Sequence, residues 1–145
     1  MPVLSKIIEA IAELAPWDLA ESWDQVGLQV GNKNKTIDKV LVALDFNQKI
    51  FEEGLDLRVD GFIVHHPLIF KPLKRLTNET EAERLITALI KHDLFLIAAH
   101  TNVDKAQRGL NQYLAEKLKL ENIKPLDRAD SNFYKVVVFT PESYT

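Results

Sequence analysis

Apolar residues change their spacing several times along this chain, and each change marks an element. Leu4, Ile7, Ile8, Ile11 and Leu14 recur at helical intervals, so one stripe of a helix faces a core. Pro16 stops that helix, because proline lacks the backbone donor and clashes with the preceding turn. Trp17 and Trp23 follow and read first as core anchors, the commoner use of tryptophan. Gly27 and Gly31 bracket a short strand. Val40 to Leu44 is apolar without alternation and ends in Asp45; such runs suit a strand covered on both faces. Asn47 can cap a helix carrying Ile50, Phe51 and Leu55. Phe62 to Val64 is a second strand, running straight into His65-His66-Pro67. Thr80-Glu-Ala-Glu83 has the spacing of a capping box and opens a helix with Leu85, Ile86, Leu89 and Ile90 on one side. His92 ends that helix, a place where an imidazole is favourable with no function at all. Leu94 to Ala99 is a third strand, running into His100 and Asp104. Gly109 to Leu118 then places Leu110, Leu114 and Leu118 on one helical face.

Strands that alternate with helices predict an α/β fold with a mostly parallel central sheet, flanked by helices that make right-handed crossovers. A further strand, Tyr134 to Phe139, stands close to the end, with only Thr140 to Thr145 after it. Residues 1–130 are expected to form an α/β metal-binding lobe, and 131–145 the start of an inserted domain or linker, cut short.

Composition narrows the class. The 145 residues suffice for one domain with a real core, and 46% apolar with 27% charged residues is ordinary for a globular protein. A net charge of −3 without a basic block makes nucleic acid an unfavoured partner. With no cysteine, disulfides and thiolate zinc sites are excluded, and any metal must use imidazole, carboxylate and water. The opening residues lack the apolar run of a signal peptide, and no stretch approaches a membrane span, so the expected location is cytoplasmic.

The chemistry gathers at strand ends. In a parallel sheet the crevice outside the carboxyl ends of the strands is where ligands bind. His65 and His66 follow one strand; His100 and Asp104 follow another. Imidazole with carboxylate suits zinc, iron, manganese or nickel. Neighbouring side chains on an extended chain point opposite ways, and Pro67 favours extension at His66. His65 and His66 are therefore expected on two different ions bridged by Asp104, an arrangement that activates water and clamps a phosphate or carbonyl oxygen. A purely structural His-His-Pro corner is the competing reading. Asp45 either lines the same crevice or caps the next helix. His100 is either a ligand or a group that hydrogen-bonds a ligand or substrate. Lys71, Lys74 and Arg75 read as a solvated loop that an anionic substrate could meet.

Trp23-Asp-Gln-Val-Gly-Leu-Gln-Val-Gly31, His65-His-Pro-Leu-Ile-Phe70, Ala99-His-Thr-Asn-Val-Asp104 and Gly109-Leu-Asn-Gln-Tyr-Leu-Ala115 together resemble the NIF-three-like family, known in bacteria as GTP cyclohydrolase 1 type 2 homologues. The resemblance runs over essentially the whole chain, with Gln25 where the family usually has Asn. It implies the three-layer first lobe of that fold, two divalent metal ions with His65, His66 and Asp104 as ligands, and a ring-shaped homohexamer. A His and a Glu that the family draws from a second lobe are expected outside this sequence. Two functions follow as expectations. One is a metal-dependent hydrolase acting on a nucleotide or similar small anionic molecule. The other is a non-catalytic metal-binding scaffold or regulatory protein that works through a partner.

Overall fold

A computed structural model describes residues 1–124; the expected unit at 131–145 and the last residues of the 1–130 lobe lie outside the described residues. Four strands form one sheet: β1 (Gly27–Val30), β2 (Val40–Ala43), β3 (Gly61–Val64) and β4 (Phe95–Ala98), in the spatial order β1-β4-β3-β2. β2, β3 and β4 are parallel, with Val40 opposite Gly61 and Gly61 opposite Phe95. The connections between them are α2 (Gln48–Leu57) and α3 (Glu81–Lys91), as the alternation predicted. β1 runs antiparallel to β4, with Gly27 opposite Ala98 and an irregularity between Leu28 and Val30.

Burial divides the molecule into three layers. On one face of the sheet, Phe51 of α2 and Leu85, Ile86 and Leu89 of α3 pack with Phe62, Val64 and Leu96. On the other, α1 (Leu4–Leu14) packs Leu4, Ile7, Ile8 and Ile11 against Phe95 and Ile97. The alternation along β3 and β4 sends neighbouring residues to opposite clusters, and both faces of these two central strands are covered. Two further helices, α4 (Thr101–Lys105) and α5 (Leu110–Lys117), follow β4.

Local signals set the element ends. The Asn47 side chain accepts from the Ile50 amide, and Thr80 accepts from the Glu83 amide. Half of the expected capping box is rearranged: Glu83 accepts from the Thr77 amide and hydroxyl and the Glu79 amide. Gly31 is required twice over at the end of β1. Its φ is +121°, and a Cβ there would lie 2.6 Å from the Phe95 Cβ.

Several expected burials fail. Leu14 and Ile90 lie beyond the edges of their helical stripes and face out. Val42 is 75% exposed and Leu44 is 60% exposed: β2 is the edge strand, and of its residues on that face Val40 packs on the α1 cluster while Val42 does not. Leu110, Leu114 and Leu118 share a face that no described element covers, and in α5 only Ala115 is buried.

Candidate metal centre

All three parallel strands deliver polar side chains at their carboxyl ends: Asp45 after β2, His65 and His66 after β3, His100 after β4. The chain does not stay extended at the histidines. It bends off the strand at Val64, and the His65 and His66 amides both donate to the Leu44 carbonyl, at 3.1 and 3.0 Å. The bend cancels the alternation that would have sent the two rings apart. Their centroids lie 4.9 Å from each other, and the His100 ring lies 4.9 Å from His65 and 5.5 Å from His66. One ring nitrogen from each of the three histidines falls within 4.8 Å of the other two.

Each imidazole is held by Nδ1. That of His65 lies 2.9 Å from the Ala99 carbonyl oxygen. That of His66 lies 2.7 Å from Asp45 Oδ1, and that of His100 lies 2.9 Å from Asp24 Oδ1. A carbonyl or ionised carboxylate oxygen can only accept, so Nδ1 carries the hydrogen in all three. The neutral rings then offer Nε2 as the free donor atom. Histidines that bind metals are typically oriented in this way, by a carboxylate or carbonyl on the far nitrogen.

Asp104 lies at the edge of the cluster, beside His65. The His100 carbonyl accepts the Asp104 amide at 3.2 Å across the first turn of α4, and Asp104 Oδ1 comes within 3.7 Å of His65 Nε2. The turn itself is anchored from below. Buried Asn102 donates from Nδ2 to the Ala15 carbonyl at 2.8 Å, and the Thr101 hydroxyl accepts from the Glu21 amide at 3.0 Å. The loop after the histidines is tied to β1: the Gln29 amide group donates to the Ile69 carbonyl and accepts from the Ile69 amide, both at 3.0 Å.

Asp24 is the most enclosed charge in the site, its side chain fully shielded from solvent. Burial alone would push its carboxyl up. Hydrogen bonds from His100, from the Thr101 hydroxyl and amide, and from the Gln25 amide outweigh burial and hold it at about 2, below its ordinary 3.8.

The predicted residues therefore divide as follows. His65, His66 and His100 come together, and Asp104 lies beside His65 alone. Asp45 supports His66, while Asn47 does the capping. His92 caps α3 and sets its ring edge against Phe51, away from the cluster. Lys71, Lys74 and Arg75 are exposed and line an open cleft of about 790 Å³ between their loop and the first turn of α3, which no histidine lines. Trp17 packs against the α1 cluster as expected, but Trp23 is no core anchor. It is 55% exposed, and its ring meets Phe70 at 6.0 Å and His100 at 6.4 Å. Asp24 is the supporting residue that the sequence does not single out, because the exposure of Trp23 beside it and its bond to His100 are set by the fold.

The profile of a family described as Duf34/NIF3 (NGG1p interacting factor 3) matches residues 2–144. The chain is 38% identical over 141 residues to a Staphylococcus epidermidis protein named GTP cyclohydrolase 1 type 2 homolog, covering 97% of this chain and 38% of that protein. It is also 38% identical over 140 residues to the Bacillus subtilis protein of the same name, again over 38% of its length. Among solved structures, a Bacillus cereus protein related to NIF3 superposes with a TM-score of 0.78 at 41% identity, over 83% of this chain and 33% of that one. Reduced HcgD from Methanocaldococcus jannaschii superposes at 0.81 with 39% identity, over 88% and 51% of the two chains. The chain thus spans well under half the length of the two curated relatives described.

Proposed function

The chain belongs to the DUF34/NIF3 family, and on that premise we propose that it supplies the metal-binding lobe of a metal-dependent hydrolase acting on a nucleotide or similar small anionic molecule. The observation that carries this reading is the convergence of three Nδ1-anchored imidazoles and Asp104 at the carboxyl end of the sheet. The donor set fits a borderline divalent ion such as zinc, iron, manganese or nickel, because neutral imidazole and carboxylate are the ligands such ions take. His65, His66 and Asp104 are the proposed ligands, with His100 beside them. A divalent ion there supplies Lewis-acid chemistry, polarising a phosphoryl or carbonyl oxygen and making bound water acidic.

The chain's own groups do the rest. Ala99, Asp45 and Asp24 keep Nε2 of each imidazole unprotonated. The exposed rings of Trp23 and Phe70 wall one side of the site. Lys71, Lys74 and Arg75, exposed on the following loop, favour an anionic substrate over a cationic one. The name carried by the relatives refers to a GTP cyclohydrolase, and a nucleotide is the substrate class common to that name and to this chemistry.

The test is metal content per chain, by mass spectrometry, on the wild type and on His65→Ala and Asp104→Ala. Metal bound by the wild type and lost from both variants, with circular dichroism unchanged, is expected. Two ions is the number the family likeness implies, and the same measurement counts them. Folded wild type that stays empty after exposure to zinc, iron, manganese and nickel would sink the proposal. If metal binds but no nucleotide or phosphoester is turned over, the hydrolytic half fails by itself.

A further inference from the structure

Three histidines meet in the cluster, and the group behind each Nδ1 is different: a backbone carbonyl for His65, an exposed carboxylate for His66 and an enclosed one for His100. We propose that Asp24 is a positioning residue that sets the ring tautomer of His100, so that His100 presents an unprotonated Nε2 to the site. The inference rests on the metal-binding reading only for the second of its two readouts.

The argument is one of hydrogen-bond direction. Asp24 Oδ2 accepts from the Thr101 amide at 3.0 Å and from the Thr101 hydroxyl. The amide is fixed in the first turn of α4 and can only donate. The Oδ2 position therefore calls for an acceptor, and so does Oδ1, which meets a second backbone amide. Asp24 Oδ1 accepts from the Gln25 amide at 2.8 Å and faces His100 Nδ1. With a carboxylate, both positions are acceptors and His100 must donate from Nδ1.

An asparagine has one acceptor for two fixed backbone donors, the Thr101 and Gln25 amides, so either way it turns one of them faces its NH2 group and no single tautomer of His100 is dictated. An alanine leaves no acceptor at His100 Nδ1, and the ring is then released to carry its hydrogen on Nε2, which blocks the nitrogen offered to the site. A change of tautomer of this kind disables the general base when the triad aspartate of a serine protease is changed to asparagine. His100 is the histidine most subject to this control, because the Asp24 side chain is fully enclosed and held at both oxygens by backbone amides.

The experiment is long-range proton–nitrogen NMR on the ¹⁵N-labelled full chain at pH about 8, above the ordinary histidine range. The His100 signals are identified by their loss in His100→Gln. Expected in the wild type is a protonated Nδ1 and an unprotonated Nε2; Asp24→Ala moves the hydrogen onto Nε2 in a substantial fraction of molecules. Zinc affinity is then measured by calorimetry. Asp24→Ala should weaken zinc about 10- to 100-fold, the usual effect of losing such a support. A merely structural role weakens zinc while the tautomer stays as it is. A wild-type Nε2–H tautomer, which needs no variant to detect, overturns the proposal, and so does a folded Asp24→Ala protein that keeps the native tautomer throughout. A tautomer that shifts as stated in a chain that binds no zinc leaves Asp24 as the positioning residue and removes the metal reading.

Discussion

Two aspartates support two histidines in this site, from opposite ends of the sheet, and their surroundings differ sharply. Asp24 stands where β1 and β4 meet, with no side-chain exposure and four hydrogen bonds arriving at its two oxygens. Asp45 follows the edge strand β2, its side chain 57% exposed, and His66 is its one side-chain partner among the described residues. The strands repeat the contrast: Phe95, Leu96 and Ile97 of β4 are fully buried, whereas Val42 of β2 is largely open. Similar Asp–His pairs therefore have different consequences. At the β4 end the geometry is imposed from several directions, and a substitution forces a rearrangement. At the β2 end the geometry is a preference that the side chain can restore by rotating.

The largest test strikes the frame of the β4 end. Phe95→Ala removes a fully buried ring packed between Gly31, Gly61 and the α1 stripe, and should cost about 3–5 kcal/mol of unfolding free energy. Urea denaturation measures it. A loss near that of a surface substitution would mean that the centre of the sheet is not the rigid support described.

Acid gives a smaller effect that separates the two aspartates. The folded-state value for Asp24 is depressed from 3.8 to about 2, so its ionised form is the one that stabilises the fold. That contribution is complete above about pH 4 and drains away as pH falls toward 2. Asp60 and Glu83 are depressed as well and add to the overall acid loss, so the comparison must be made between variants. The wild type should lose more stability than Asp24→Ala between pH 5 and pH 2. Equal losses in the two proteins would show that the Asp24 network does not hold the fold.

The smallest expected effect is at the other pair. No fixed donor dictates how an asparagine at position 45 turns, so its carbonyl can still accept from His66 Nδ1. Asp45→Asn should leave the His66 tautomer as it is and change stability by no more than about 0.5 kcal/mol, as exposed substitutions usually do. A reversed His66 ring in the NMR spectrum would erase the distinction between the two ends.

What could be read from the chain follows the range of the forces involved. Helix caps at Asn47 and Thr80, the parallel β2-β3-β4 order and the placing of His65, His66 and His100 at the carboxyl ends of strands depend on local chemistry or on element alternation, and both are written in neighbouring residues. The antiparallel setting of β1 depends on pairing with β4, far along the chain, and no local pattern specifies it. Val42 reads as buried because a strand with open faces and one with covered faces can share a composition. The convergence of His65 and His66 was hidden for a more specific reason. The alternation rule holds only while the chain stays extended, and at the bend both histidine amides donate to the Leu44 carbonyl, just beyond the end of β2. Asp24 and His100 lie 76 positions apart, so their bond is visible only once the sheet has brought β1 beside β4.

The paired bonds between Gln29 and Ile69 have a consequence for how this scaffold can vary. They pin the residue just beyond the His-His-Pro-Leu run, so His65 to Ile69 are measured from β1 and not from α3. From Phe70 to Asn78 the chain is exposed and bears no such tether to the sheet. Insertions, deletions and changes of charge can accumulate in that stretch, so this loop is free to diversify around histidines whose places are fixed.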